Sequence, residues 1–434
     1  MIRLHKDTFE YIQKEYQIDD QVINFCHQSE EKISTYFKNI DDIREHNQLK
    51  VIRALQKARI SDIHFQVSTG YGYNDEGREG VEKVYAMVFN SEDALVRPHI
   101  TSGTHALSLC LYGNLRPGDE LLSVTGAPYD TIQTVIGWNE TKESYGTLKD
   151  YGVTYNQIDL VDGKVNYPAI KEAIHPKTKM IYIQRSTGYA WRKALTISEI
   201  AELIDHIKKI KKEVIVMVDN CYGEFMDTLE PTDVGADIMA GSLIKNPGGG
   251  ISPTGGYVVG KEEYVYKAAC RLSAPGIAKE TGATLGINRT YLQGLFLAPL
   301  VVSQAVKTAI LAAKVFEELG FEVCPKSDNY RSDIIQSIKL GNEQAVIDFC
   351  KAIQKAAPVD SYVTPVPSDM PGYDSQVIMA AGAFIQGSSI ELSADAPMRE
   401  PYIVYLQGGL THEHGKLGLY LALQELKNTG FIRL

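Results

Sequence analysis

The run Asp237-Ile238-Met239-Ala240-Gly241-Ser242-Leu243-Ile244-Lys245-Asn246-Pro247-Gly248-Gly249-Gly250 sets one lysine three residues after a serine. It stands directly ahead of a stretch too rich in glycine for helix or strand. Twenty-six residues upstream of Lys245, the apolar segment Val214-Ile215-Val216-Met217-Val218 ends in Asp219-Asn220. A lysine fixed on a short turn and an acid at the end of a buried strand are the pair that a pyridoxal phosphate enzyme needs. The amine forms a Schiff base, and the aspartate keeps the pyridine nitrogen protonated so that the ring can take up electrons. The amine must also work in its neutral form, so burial and neighbouring positive charge are expected to lower the pKa of Lys245.

A phosphate needs donors of its own. Thr101-Ser102-Gly103-Thr104-His105 follows a strand-like run and precedes a helix, where small hydroxyl residues and the first backbone N–H groups can cradle an anion. The same residues also serve as a helix cap, so Leu115-Arg116-Pro117-Gly118-Asp119-Glu120, the turn into the next strand, adds the specificity. His105 can orient the ligand or simply occupy a helix face. Gly248 to Gly250 lack the Lys-Ser/Thr ending of a nucleotide loop. His412 and His414 flank Glu413 without a third ligand nearby in sequence, so a capping or solvent-facing pair is expected and no metal site.

The elements that must hold these groups alternate. Residues 1–65 carry helical spacing, as at Val51, Leu55 and Ala58, and form an N-terminal helical arm. Ser68 to Arg78 then breaks periodicity with glycines, tyrosines and an arginine. Over residues 66–300, strands at 94–96, 120–124, 180–183, 214–218 and 256–259 alternate with helices such as 197–212. That pattern predicts a large α/β domain with a mostly parallel sheet covered on both faces. A helix-compatible stretch at 300–319 opens a smaller C-terminal α+β domain over 301–434.

With 434 residues, two domains are the natural expectation. A net charge of −10 speaks against nucleic acid or an anionic membrane as main partner, so an anionic ligand must be held by local groups. The first residues are polar with no signal-peptide core, and no stretch is expected to span a membrane. Six scattered cysteines read as reduced thiols of a cytoplasmic protein.

Taken together, Gly70-Tyr71-Gly72-Tyr73, Asp219-Asn220-Cys221-Tyr222-Gly223-Glu224-Phe225, Gly241 to Gly250 and Gln293-Gly294-Leu295-Phe296-Leu297-Ala298-Pro299 resemble the fold-type I pyridoxal phosphate enzymes. Within these the chain is most similar to the cystathionine β-lyase and methionine γ-lyase group, in the branch labelled aluminium resistance protein. The resemblance implies the transferase-like fold with a seven-stranded-type sheet and pyridoxal 5'-phosphate as cofactor. It assigns Lys245 to the Schiff base, Asp219 to the pyridine nitrogen, and Ser102, Gly103, Thr104 and Ser242 to the phosphate. Tyr129 takes the place of the tyrosine that stacks on the ring and can act as acid or base. Tyr71, Tyr73 and Arg78 match the loop reaching a neighbouring subunit's phosphate, which implies a homodimer or homotetramer with shared sites.

The sequence departs from that group where a C-terminal arginine clamps the substrate carboxylate, because Tyr405 falls there. Arg399 and Arg185 are the replacements to consider, with a structural ion pair as the plainer role of either. The implied activity is a carbon–sulfur lyase acting on a sulfur amino acid, by β- or γ-elimination to keto acid, ammonia and thiol. An aminotransferase is the alternative on the same frame. A non-catalytic cofactor-binding stress-response protein is a more distant one.

Overall fold

The computed structural model describes residues 6–138, 145–370 and 375–434. The chain divides into two compact units, His46–Gly188 with Ala194–Ala298, and Met1–Glu45 with Tyr189–Lys193 and Pro299–Leu434.

Helices α1 (Lys6–Tyr16) and α2 (Asp20–Lys57) open the chain, and α3 (Glu76–Val88) follows the tyrosine loop. Then come β1 (Asp93–Arg97), α4 (Gly103–Asn114), β2 (Glu120–Ser123), α5 (Asp130–Ile136), β3 (Thr154–Gln157), α6 (Tyr167–Ala173) and β4 (Thr178–Gln184). They are followed by α7 (Ile197–Ile210), β5 (Ile215–Asp219), β6 (Ile238–Ser242), β7 (Gly256–Gly260) and α8 (Glu262–Leu272). The seven strands run in the order β3-β2-β4-β5-β6-β7-β1, parallel except for β7, which is antiparallel to both β6 and β1.

Every residue of β5 is buried, as a parallel strand covered on both faces requires. Its neighbour α7 buries Ile197, Ile200, Leu203, Ile204 and Ile207, one stripe at helical spacing, and starts at a Thr196/Glu199 capping box. The edge strand β3 is absent from the sequence expectation. Thr154-Tyr155-Asn156-Gln157 is polar and half-exposed, so it carries no apolar run to read.

Helix α9 (Asn288–Glu318) corrects the expectation that no segment reaches membrane-span length. It is long and apolar enough by length and composition, yet 72% of its most apolar window is buried in protein. In the second unit, β8 (Glu322–Cys324), β9 (Ile335–Lys339), α10 (Glu343–Ala356), β10 (Val377–Ala380), β11 (Ser393–Pro397), β12 (Ile403–Gln407) and α11 (His412–Asn428) build an antiparallel sheet ordered β10-β11-β12-β9-β8 with helical cover. The first 45 residues belong to this unit and do not stand as a separate arm. Lys32 pairs with Glu318 at 2.7 Å, Lys307 with Asp41 at 2.8 Å, and Glu30 with His412 and Lys416, each at 2.8 Å.

Candidate active site

Strands β4, β5 and β6 are in register, with Gln184 opposite Asp219 and Asp219 opposite Ala240. Their carboxyl ends therefore finish side by side, which is where open α/β sheets present ligand-binding groups. A cavity of ≈ 200 Å³ opens there, and its walls include Ser102, Gly103, Thr104, Tyr129, Asp219 and Lys245. Ser242, Cys221 and Tyr222 also face it.

The glycine run after the lysine is a packing requirement. A Cβ on Gly248 would lie 1.8 Å from the Leu243 carbonyl oxygen, and one on Gly249 would lie 2.4 Å from that of Gly294. The turn is thus pressed against α9 with no room for side chains, and Lys245 is fixed at its start. Asn246, fully buried, donates from Nδ2 to the Glu224 carbonyl at 3.1 Å and ties the turn to the loop after β5. Burial pushes the Glu224 carboxyl up to about 8, although Tyr257 donates to it at 2.7 Å.

Asp219 receives the Cys221 backbone N–H at 3.1 Å and the Tyr182 hydroxyl at 3.0 Å. Burial raises its pKa, opposed by the Cys221 donors, the Lys245 charge and Tyr182. For Lys245 the balance runs opposite to the sequence expectation. Burial favours the neutral amine, but Tyr222, Cys221 and Asp219 outweigh it and hold the ammonium above its ordinary range. The groups around the amine are acids and hydroxyls, not the cations that would lower it.

Ser102 caps α4, its Oγ accepting from His105 N at 3.1 Å, so the first-turn N–H groups of α4 open towards the cavity. A Cβ on Gly103 would lie 3.3 Å from that of Ser242 and 3.4 Å from the Cys221 sulfur. That close approach brings the helix end and Ser242 together in one cradle. Thr104 shares a hydroxyl contact of 2.8 Å with Thr131 on α5. His105 Nδ1 accepts from Thr101 N at 3.1 Å, and His105 does not line the cavity. Tyr129 stands at the start of α5, fixed by its backbone N–H on Gln184 Oε1 at 2.7 Å.

This donor set fits a phosphorylated pyridine aldehyde. Hydroxyls and a helix N-terminus suit the phosphate, a buried carboxylate suits the ring nitrogen, and an amine lining the same cavity suits the aldehyde. Tyr182, Gln184, Thr131, Cys221 and Tyr222 escaped the sequence assignment. Tyr182 and Gln184 alternate along the end of β4, a period-two signal next to an identified strand.

Three expectations need amendment. Arg185 is fully buried, with Nη1 donating to Asn220 Oδ1 at 2.9 Å and the Gly223 carbonyl at 2.8 Å, and Glu230 at 3.6 Å. Sealed beneath the turn after β5, it holds that turn and does not present its charge to a substrate. Arg78 is also buried and donates to the carbonyls of Gly72, Gly282 and Glu280 in its own chain. It fastens the tyrosine loop, while Tyr71 and Tyr73 stand 71% and 63% exposed with rings 5.4 Å apart. Arg399 belongs to the other unit, exposed on the turn between β11 and β12, with no ion pair among the described residues. Tyr405 donates to the Tyr189 carbonyl at 2.6 Å. His412 pairs with Glu30 and His414 bonds the Ala356 carbonyl, and no metal cluster occurs among the described residues.

Residues 22–427 match the family model described as methionine gamma-lyase. The uncharacterized protein YnbB of Bacillus subtilis (strain 168) is 52% identical over 398 residues, 92% of this chain and 94% of that one. A solved carbon-sulfur lyase involved in aluminum resistance from Clostridium novyi NT is 53% identical, with a TM-score of 0.94 over 98% of this chain and 100% of that one. The L-methionine gamma-lyase of Treponema denticola is 27% identical over 215 residues, 49% of this chain and 47% of that one. The fold is that of the fold-type I pyridoxal phosphate enzymes, and with its lysine, aspartate and helix-end cradle gathered at the strand ends, the chain belongs to the methionine gamma-lyase family.

Proposed function

We propose that this protein is a pyridoxal 5'-phosphate-dependent carbon–sulfur lyase acting on a sulfur amino acid. The observation that carries the reading is the convergence of Lys245, Asp219 and the Ser102–Thr104 helix end with Ser242 on one cavity. The cofactor, when bound, supplies a ring that accepts the electron pair released at the substrate's α-carbon. Lys245 Nζ is its attachment point and afterwards the base that moves the α-proton. Asp219 holds a proton at the ring nitrogen. Ser102, Thr104, Ser242 and the N–H groups of α4 hold the phosphate. Tyr129 Oη is the donor to the departing sulfur.

We also propose that two copies assemble with Tyr71 and Tyr73 presented to the partner, the chain's own Arg78 serving as their anchor. The test is to load the protein with cofactor, reduce it with borohydride, map the tagged lysine, and assay a panel of amino acids for keto acid, ammonia and thiol. A tag on another lysine overturns the site. Amino transfer without ammonia or thiol identifies an aminotransferase instead.

A further inference from the structure

Tyr222 has a backbone no bulky residue prefers. Its φ is +71°, in the left-handed region, where an L side chain costs roughly 1–2 kcal/mol. Such strain persists only where the surroundings over-determine it, and it concentrates at functional positions. Here they do. Asn220 N bonds the Ala240 carbonyl at 3.2 Å, Gly223 N bonds the Asn220 carbonyl at 2.8 Å, and buried Arg185 grips Asn220 and Gly223 from below. A Cβ on Gly223 would meet Arg185 Cδ at 2.6 Å, so the turn cannot relax in that direction. The outcome is that the Tyr222 ring faces the lysine, with Lys245 Nζ 4.0 Å from its centroid.

We infer that Tyr222 is the positioning partner of Lys245, held in a strained turn so that its ring receives the ammonium and its hydroxyl favours the charged amine. This rests on the reading of Lys245 as the working amine. Asp219 at the end of β5, and Cys221 and Glu224 in the turn after it, also act on Lys245, and among the described residues Tyr222 is the strongest influence holding the amine protonated.

The test follows the pH dependence of reductive methylation of Lys245 in the full-length chain freed of cofactor, read by peptide mass spectrometry. Tyr222→Phe keeps the ring and loses the hydroxyl. Its Lys245 should react about tenfold faster at a given pH below the midpoint, an effect of about 1.4 kcal/mol. Tyr222→Leu, which also removes the ring, should shift the profile further. A Tyr222→Phe profile that superimposes on the wild type overturns the pairing. This measurement needs no cofactor, so it stands or falls separately from the borohydride mapping that tests the cofactor site.

Discussion

Replacing Asp219 separates what its carboxylate does for the fold from what it does for the chemistry. In Asp219→Asn the amide oxygen can still accept the Cys221 N–H, while the new NH₂ faces the Tyr182 hydroxyl. That hydroxyl can rotate its proton away and accept. Two charge-assisted bonds become two neutral ones, a loss of about 1 kcal/mol. Asp219→Ala leaves a buried N–H and a buried hydroxyl without partners, at roughly 1–3 kcal/mol each. At about 2–4 °C per kcal/mol for a unit of this size, the asparagine variant should melt within a few degrees of wild type and the alanine variant clearly lower. Differential scanning calorimetry checks this. Turnover should instead fall in the asparagine variant by on the order of 10²–10³-fold, because an amide cannot hold a charge on the ring nitrogen. Cofactor should remain bound through the Ser102–Ser242 cradle. An asparagine variant with near wild-type turnover, or an alanine variant as stable as the asparagine one, would refute the reasoning.

Gly248→Ala should yield little folded protein, because its Cβ would overlap the Leu243 carbonyl. Gly163→Ala, at φ +74° with open space around it, should cost only about 1 kcal/mol, and parallel melting curves compare the two. Glu30 is held at about 2, from an ordinary 4.5, because hydrogen bonds from His412 and Lys416 outweigh its burial. A depressed carboxyl stabilises fully above its ordinary value and loses that contribution as pH falls through about 2. Melting temperature should therefore decline between pH 5 and 2 less steeply in Glu30→Gln than in wild type.

Loss of a buried contact has different consequences around the lysine and around the aspartate. The turn bearing Lys245 is rigid because backbone meets backbone, at Gly248 against Leu243 and Gly249 against Gly294. Asp219 is held by side-chain and N–H donors, which can rearrange. An amide should thus be tolerated at Asp219 in the folding sense, whereas the glycine run should refuse even a methyl group.

Lys245, Asp219 and the Ser102–Thr104 helix start were legible in the sequence, because each lies at an element boundary that leaves a local mark, whereas Ser242 followed only from the family resemblance. An apolar run stops at Asp219, a capping residue opens α4, and glycines follow the lysine. The alternation of strands and helices likewise announced a parallel sheet. What the sequence could not carry were relations between residues far apart along it. Arg185 stood as a substrate ligand or a structural ion pair and Arg78 as a contact to a neighbouring phosphate, since nothing local reveals that folded loops close over both. The Tyr182 donor on Asp219 arises only when β4 and β5 align, and Gln184's hold on Tyr129 only when the end of β4 meets the start of α5. The elevated pKa of Lys245 is of the same kind: burial alone would have lowered it, and only the tertiary fold set Tyr222, Cys221 and Asp219 around the amine to reverse the sign.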